Sequence, residues 1–150
     1  MKQILLKCIV EKKFIMINNI FVDSNVWLYA LLKGQNEHKL HIAQHIIQSK
    51  NIIISVQIIN EVCYQLYRNK TFSEEELKKL IDGFYKKYQV IGLEQEVLMI
   101  ATDLRKNHKF SFWDSLVVAC ALKTNCSILY SEDMQYGFMI DQLQIINPFL

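Results

Sequence analysis

Apolar residues in this chain come in short runs that alternate between continuous stretches and helical periods. Residues 20–23 (IFVD) form an apolar run closed by an acid, which predicts a buried strand, and VWLYALLK predicts a helix stopped by Gly34. Over 37–50 the period is helical, with Leu40, Ala43, Ile46 and Ile47 on one side and His38, His41 and His45 on the other. Three histidines on one face can suggest a metal, but opposite the apolar stripe they read as a solvated surface. NIIIS (51–55) is a second buried strand, with Ser55 placed to cap a helix running from Val56 to about Arg68. Its core stripe is Val56, Ile59, Val62, Cys63 and Leu66; Glu61 projects from the polar side with Gln57 one turn earlier.

Ser73 followed by Glu76 is a capping-box signal opening a further helix, and QVIGL is a short strand. Residues 94–108 place Val97, Ile100, Ala101 and Leu104 inward, and Ser111 opens the mostly apolar helix FWDSLVVACALKTN. SILY is another strand, SEDMQYG a turn, and LQIIN a last extended stretch closed by Pro148. Strands alternate with helices throughout. The pattern predicts an α/β fold, a three-layer α/β/α sandwich around a central, mostly parallel sheet.

With 150 residues, 51% of them hydrophobic, the chain can fill one core but not two. Charged residues make up 21% and the net charge is +2, so any nucleic-acid contact must come from local patches. Cys8, Cys63, Cys120 and Cys126 form no CxxC pair and read as reduced residues of a reducing compartment, the cytoplasm. Apolar stretches fall well short of the roughly 20 residues of a membrane span. Lys7, Glu11, Lys12 and Lys13 break up the N-terminal apolar run before a signal sequence forms. Residues 1–15 are expected to be a leader outside the functional domain, which would occupy 16–150.

Four carboxylates stand where strands pass into turns or helices: Asp23 in FVDSN, Glu61 in SVQIINEV, Asp114 in FSFWDSL and Asp133 in ILYSED. Each has an ordinary explanation: a helix cap for Asp23, solvent for Glu61, a capping partner of Ser111 for Asp114, a turn for Asp133. Together they have another, because the carboxyl ends of parallel strands share one edge where ligands bind. Acids meeting there repel one another unless a divalent cation neutralises them, and oxygen-only donors favour Mg²⁺ or Mn²⁺ over zinc. Such an ion can activate water and orient a phosphodiester.

IFVDSNVWLYAL, the Glu61 helix, FSFWDSLVVACAL and ILYSEDMQ, in this order and at these intervals, resemble a PIN-domain ribonuclease, most closely the VapC-like toxins of type II toxin–antitoxin pairs. The resemblance runs from about residue 18 to the C-terminus. It implies a metal-dependent endoribonuclease that leaves a 5′-phosphate and a 3′-hydroxyl. Asp23, Glu61, Asp114 and Asp133 would be the catalytic acids and metal ligands, supported by Ser24, Asn25 and Ser131. Glu132 could take the place of Asp133. The resemblance further implies a homodimer and a cognate antitoxin that lays a helix and a tail into the groove by the site; residues 72–88 form a partner-binding hairpin or a helical cover.

Arg68, Lys70, Arg105, Lys106 and Lys109 flank the acids in sequence and are candidate RNA phosphate contacts, or solvated helix ends. Trp27, Tyr29 and Trp113 could stack on unpaired bases, though packing explains most of them better. Other readings are a housekeeping PIN nuclease in RNA maturation and a noncatalytic RNA-binding regulatory module. Phosphotransfer through an aspartyl phosphate at Asp23 would want a second aspartate two residues on, where Asn25 stands.

Overall fold

Consecutive apolar positions cannot alternate between core and solvent, so the strands they form must be covered on both faces. Ile52, Ile53 and Ile54 are all buried, as are Phe21 and Val22. The computed structural model describes residues 18–34 and 36–150; the expected leader, with Cys8, and the expected domain start at Met16 lie outside the described residues. The elements are β1 (Asn19–Val22), α1 (Ser24–Leu31), α2 (Glu37–Ile47), β2 (Ile52–Ser55), α3 (Val56–Arg68), α4 (Glu74–Lys87) and β3 (Gln89–Ile91). They continue with α5 (Gln95–His108), α6 (Phe112–Lys123), β4 (Cys126–Tyr130), β5 (Met139–Ile140) and β6 (Leu143–Ile146).

The strands make one sheet in the order β3-β2-β1-β4-β6-β5. All neighbours are parallel except β5, which runs against β6. From β1 the chain steps outward to β2 and β3, then returns to lay β4 on the other side of β1. With right-handed crossovers, that reversal puts α1 to α4 on one face and α5 and α6 on the other. The result is the three-layer α/β/α sandwich expected from the sequence. It also puts the carboxyl ends of β1 and β4 at the point where the connections diverge to opposite faces, the position at which sheets of this kind bind ligands.

The caps read from sequence are in place. Ser55 Oγ accepts the Ile58 N–H at 3.2 Å, and Ser73 and Glu76 form a reciprocal capping box. Three details differ. Helix α1 stops at Leu31, and Gly34, with φ +91°, makes the turn beyond it. In α3 the core stripe includes Ile58, fully buried, whereas Val56 is 42% exposed because the first helical residue projects beyond the sheet edge. The two-residue β5 is too short to leave a periodic signal, and a tight turn through Asp141 at φ 50° pairs it to β6.

His38, His41 and His45 are exposed, as the amphipathic pattern of α2 requires. Burial pushes the Cys120 thiol up to about 12 and the Cys126 thiol up to about 11, so both remain protonated core groups. No described helix is long and apolar enough to cross a membrane.

Trp27 locks α1 against the sheet. It is buried, its Nε1–H donates to the Val22 carbonyl at 3.1 Å, and its ring meets Phe84 and Tyr88 edge-on at 5.1 and 5.0 Å. This is core packing, so Trp27 is not a base-stacking residue. It also holds the first turn of α1, which begins at Asp23. Trp27→Ala should cost about 3–5 kcal/mol in urea unfolding followed by circular dichroism; a loss below about 1 kcal/mol would show that α1 is held by something else.

Candidate active site

The parallel register of β1 with β4 pairs Val22 with Tyr130. The next step along both strands brings Asp23 beside Ser131, and the Asp23 N–H donates to the Tyr130 carbonyl at 2.9 Å. Asp23 caps α1, with Oδ1 accepting the Ser24 N–H at 2.7 Å, while Oδ2 accepts the Ser131 hydroxyl at 2.7 Å. Capping and site formation are therefore one geometry, not rival explanations of this residue. Ser131 Oγ also accepts the Met134 N–H at 3.3 Å, which shapes the turn after β4.

Asn25 ties the two sides together. Its Nδ2 donates to Asp23 Oδ2 at 3.4 Å and to Asp133 Oδ2 at 3.2 Å, and its Oδ1 accepts the Glu132 N–H at 3.3 Å. An aspartate here would bring a third carboxylate against Asp23 and Asp133; the amide supplies the donor both need. This removes the basis for an aspartyl-phosphate chemistry that wants an acid at that position.

Glu61 and Asp114 arrive from α3 and α6 and reach Asp23 through their charge, not through a hydrogen bond. Glu61 Oε1 accepts from Gln57 Nε2 at 2.8 Å, one helical turn away. Asp114 lies in the first turn of α6, where its N–H donates to Ser111 Oγ at 3.1 Å. Both are half-buried, whereas Asp133 is exposed. Glu132 turns the other way, into an ion pair with Lys39.

Burial pushes the Asp23 carboxyl up from 3.8 to about 6; the Ser131 and Ser24 hydrogen bonds pull it back in part, and the charges of Glu61 and Asp114 push it further up. An acid kept this costly to ionise is an uncompensated negative site. Among the described residues, no three His, Cys, Asp or Glu side chains close into a ready-made ion cage. The donors present are oxygens of carboxylates, hydroxyls and amides, without thiol or imidazole, which is the chemistry of a hard cation that keeps several of its waters.

Beside Glu61 runs a groove of about 790 Å³ lined by α3, α4, Leu93 and Trp113. Val56, Tyr64, Ile81, Tyr85 and Trp113 present exposed apolar surface along it. Gln57 is buried at its floor with Oε1 unpartnered, and the sequence shows no sign of this beyond a polar residue one turn before an acid. Leu77 and Phe84 of α4 are buried, so 72–88 both covers the core and walls the groove.

Of the basic residues flanking the acids in sequence, Arg68, Lys70, Lys106 and Lys109 are exposed. Arg105 is engaged within the protein: it donates to Ser115 Oγ at 2.8 Å and Thr102 Oγ1 at 3.1 Å, and its guanidinium lies over the Phe112 ring. Tyr29 is half-buried against Lys39 and Phe149, leaving Trp113, at 63% exposure, as the open ring of the three aromatics considered.

Because the folded state raises the Asp23 carboxyl above its unfolded value, the penalty is absent below about pH 4 and fully present once the pH has risen past 6. Metal-free wild type should lose on the order of 2–3 kcal/mol across that window relative to Asp23→Asn. Urea unfolding of both proteins at pH 4, 6 and 8 with a chelator measures the difference; a constant gap would show that Asp23 ionises without cost.

The PIN domain family matches residues 20–137, a span that contains all four acids. No curated protein matches the chain. Among solved structures it is similar to Mycobacterium tuberculosis VapC20, a sarcin–ricin loop cleaving toxin, at 19% identity and TM-score 0.60, over 77% of this chain and 90% of that one. It is similar to a toxin–antitoxin complex chain from Klebsiella pneumoniae at 15% identity and TM-score 0.66, over 87% and 98%. A third likeness is to DNA-bound VapBC from Salmonella typhimurium, at 14% identity and TM-score 0.61, over 86% and 97%. Identities this low speak to the fold, whereas the family match covers most of the chain and every one of the four acids: the protein belongs to the PIN domain family.

Proposed function

We propose that this protein is a metal-dependent endoribonuclease and the toxin of a toxin–antitoxin pair. The observation that carries the reading is the buried carboxylate of Asp23, held by Ser131 and by Asn25, which also holds Asp133, and repelled by Glu61 and Asp114. Capping the first helix accounts for one oxygen of Asp23, but not for two further acids brought near a buried carboxylate, and such a cluster gains most from a divalent cation. When bound, Mg²⁺ or Mn²⁺ supplies Lewis-acid polarisation of a phosphodiester and activation of water.

Asp23, Glu61 and Asp114 hold that ion directly or through water, and Asp133 completes the set. Ser131 and Ser24 keep Asp23 in one rotamer by donating to both its oxygens. Asn25 keeps Asp133 beside it. Gln57 orients Glu61 and withdraws one of its lone pairs. Four acids repel RNA, so the ion must reverse the local potential, and the exposed Arg68, Lys70, Lys106 and Lys109 are candidate contacts for phosphates further along the strand. Trp113, in the same helical turn as Asp114, can take an unpaired base on its exposed face.

The apolar groove next to Glu61 suits the helix of a cognate antitoxin, which would shield the acids while bound. Leu98 and Met99, exposed on α5, are apolar surface that a second copy could cover in a homodimer. A cytoplasmic location accords with Cys63, Cys120 and Cys126 being free thiols. Solved relatives of this fold include toxin–antitoxin complexes, which supports the partner reading.

Purified protein with Mn²⁺ or Mg²⁺ should cleave a single-stranded RNA, and chelator should stop it. Asp23→Asn and Asp114→Asn should each lower turnover at least about a hundredfold, the scale for losing a preorganised charge-stabilising group, with unchanged circular dichroism. Full activity in either variant would sink the site. Expressed in its native host, the chain should copurify with a small partner whose removal releases nuclease activity. Ile81→Asp should weaken that partner by on the order of 2 kcal/mol, roughly thirtyfold. A chain that cleaves RNA, copurifies with nothing and is harmless when overexpressed would instead be a housekeeping nuclease.

A further inference from the structure

Two adjacent acids, Glu132 and Asp133, follow β4, and the structure sends them in opposite directions. Asp133 accepts from Asn25 Nδ2, the same amide that donates to Asp23. Glu132 pairs with Lys39 in the first turn of α2, and Lys39 Nζ also donates to the Tyr29 hydroxyl at 3.2 Å. The ammonium lies 4.7 Å from the Tyr29 ring centre and 5.3 Å from that of Phe149, and the two rings meet edge-on at 5.1 Å. The paired side chains are only 24% and 22% exposed, whereas the Lys86–Asp82 pair is 75% and 60% exposed. An open surface pair holds no fixed geometry; a half-buried pair whose ammonium lies against two rings is held more firmly.

Helix stability does not explain Lys39. A cation in the first turn opposes the helix dipole, so its position is locally unfavourable. What it gains is Glu132, and Glu132 is joined to the acids by its own backbone: its N–H donates to Asn25 Oδ1, and Asn25 Nδ2 donates to Asp23 and Asp133. We propose that Lys39 is a positioning residue, fixing the Asp23–Asn25–Asp133 arrangement through Glu132, and that Glu132 is the anchor of this turn and not a ligand of the ion. The assignment rests on the metal-site reading above and divides the roles of the two neighbouring acids. Removing the anchor leaves every acid present but frees the turn that aligns two of them.

The test is Mn²⁺ titration of the purified full chain without RNA, so that catalysis plays no part. Lys39→Met and Glu132→Ala should each weaken Mn²⁺ binding by about tenfold, the low end of the scale for losing an outer partner of a metal ligand, because Asn25 stands between this pair and the acids. The double variant should be no weaker than the worse single one, since both break the same link. Lys39→Arg keeps the charge and should stay within about threefold of wild type, which separates the pair from a general loss of fold. Lys39→Met binding as wild type would overturn the assignment, as would losses that multiply in the double variant, the mark of Glu132 ligating directly. Wild type that binds no Mn²⁺ would overturn the metal reading itself, and the anchor with it.

Discussion

A carboxylate taken out of water at the end of a central strand is the constraint from which the site is built. Asp23 is buried because β1 lies in the middle of the sheet, and the cost of ionising it there is met only in part by the Ser131 hydroxyl and the Ser24 N–H. The partners that reduce the cost are also those that fix the geometry. Ser131 cannot reach Asp23 unless β1 and β4 are in register, and Ser24 cannot donate unless α1 starts immediately after the acid.

Topology then decides which other groups come near. The reversal in strand order between β1 and β4 splits the connecting helices between two faces and leaves the first and last acids, bridged by Asn25, at the same sheet edge. Helix α3, leaving β2 beside β1, carries Glu61 to one wall. Helix α6, packed on the opposite face, presents Asp114 from its first turn. The acids thus come from four segments whose common feature is position relative to one sheet edge. Their mutual repulsion is tolerable in the fold because a buried apolar scaffold, with Trp27 at its centre, holds the elements regardless of the charge they carry.

The surroundings divide between polarity and apolarity in a way that separates two tasks. Hydrogen bonds from Ser131, Asn25 and Gln57 orient acids. Exposed Tyr64, Tyr85, Ile81 and Trp113 form a surface with no polar work to do, running away from Glu61. A ligand of the acids and an occupant of the groove can therefore be chemically unlike and still compete for the same entrance.

Much of this was legible in the residues alone. Alternation of buried strands and capped helices predicted the layers, and the Ser55, Ser73 and Ser111 caps followed from local rules that act within one turn. The placing of acids after Val22 and Tyr130 pointed to the strand ends. Membership of the PIN domain family was visible in the ordered set of motifs. What the sequence could not decide was every relation between distant segments. Nothing local distinguishes Glu132 from Asp133, or marks Lys39, 93 residues from Glu132, as its partner. Nothing local shows that Arg105 is occupied by Ser115, that Gln57 is buried beneath the groove, or that Trp27 and Trp113 have opposite exposures. Side-chain periodicity reports which face of an element is apolar, but the partner that meets that face depends on strand order and register, which exist only once the sheet has closed.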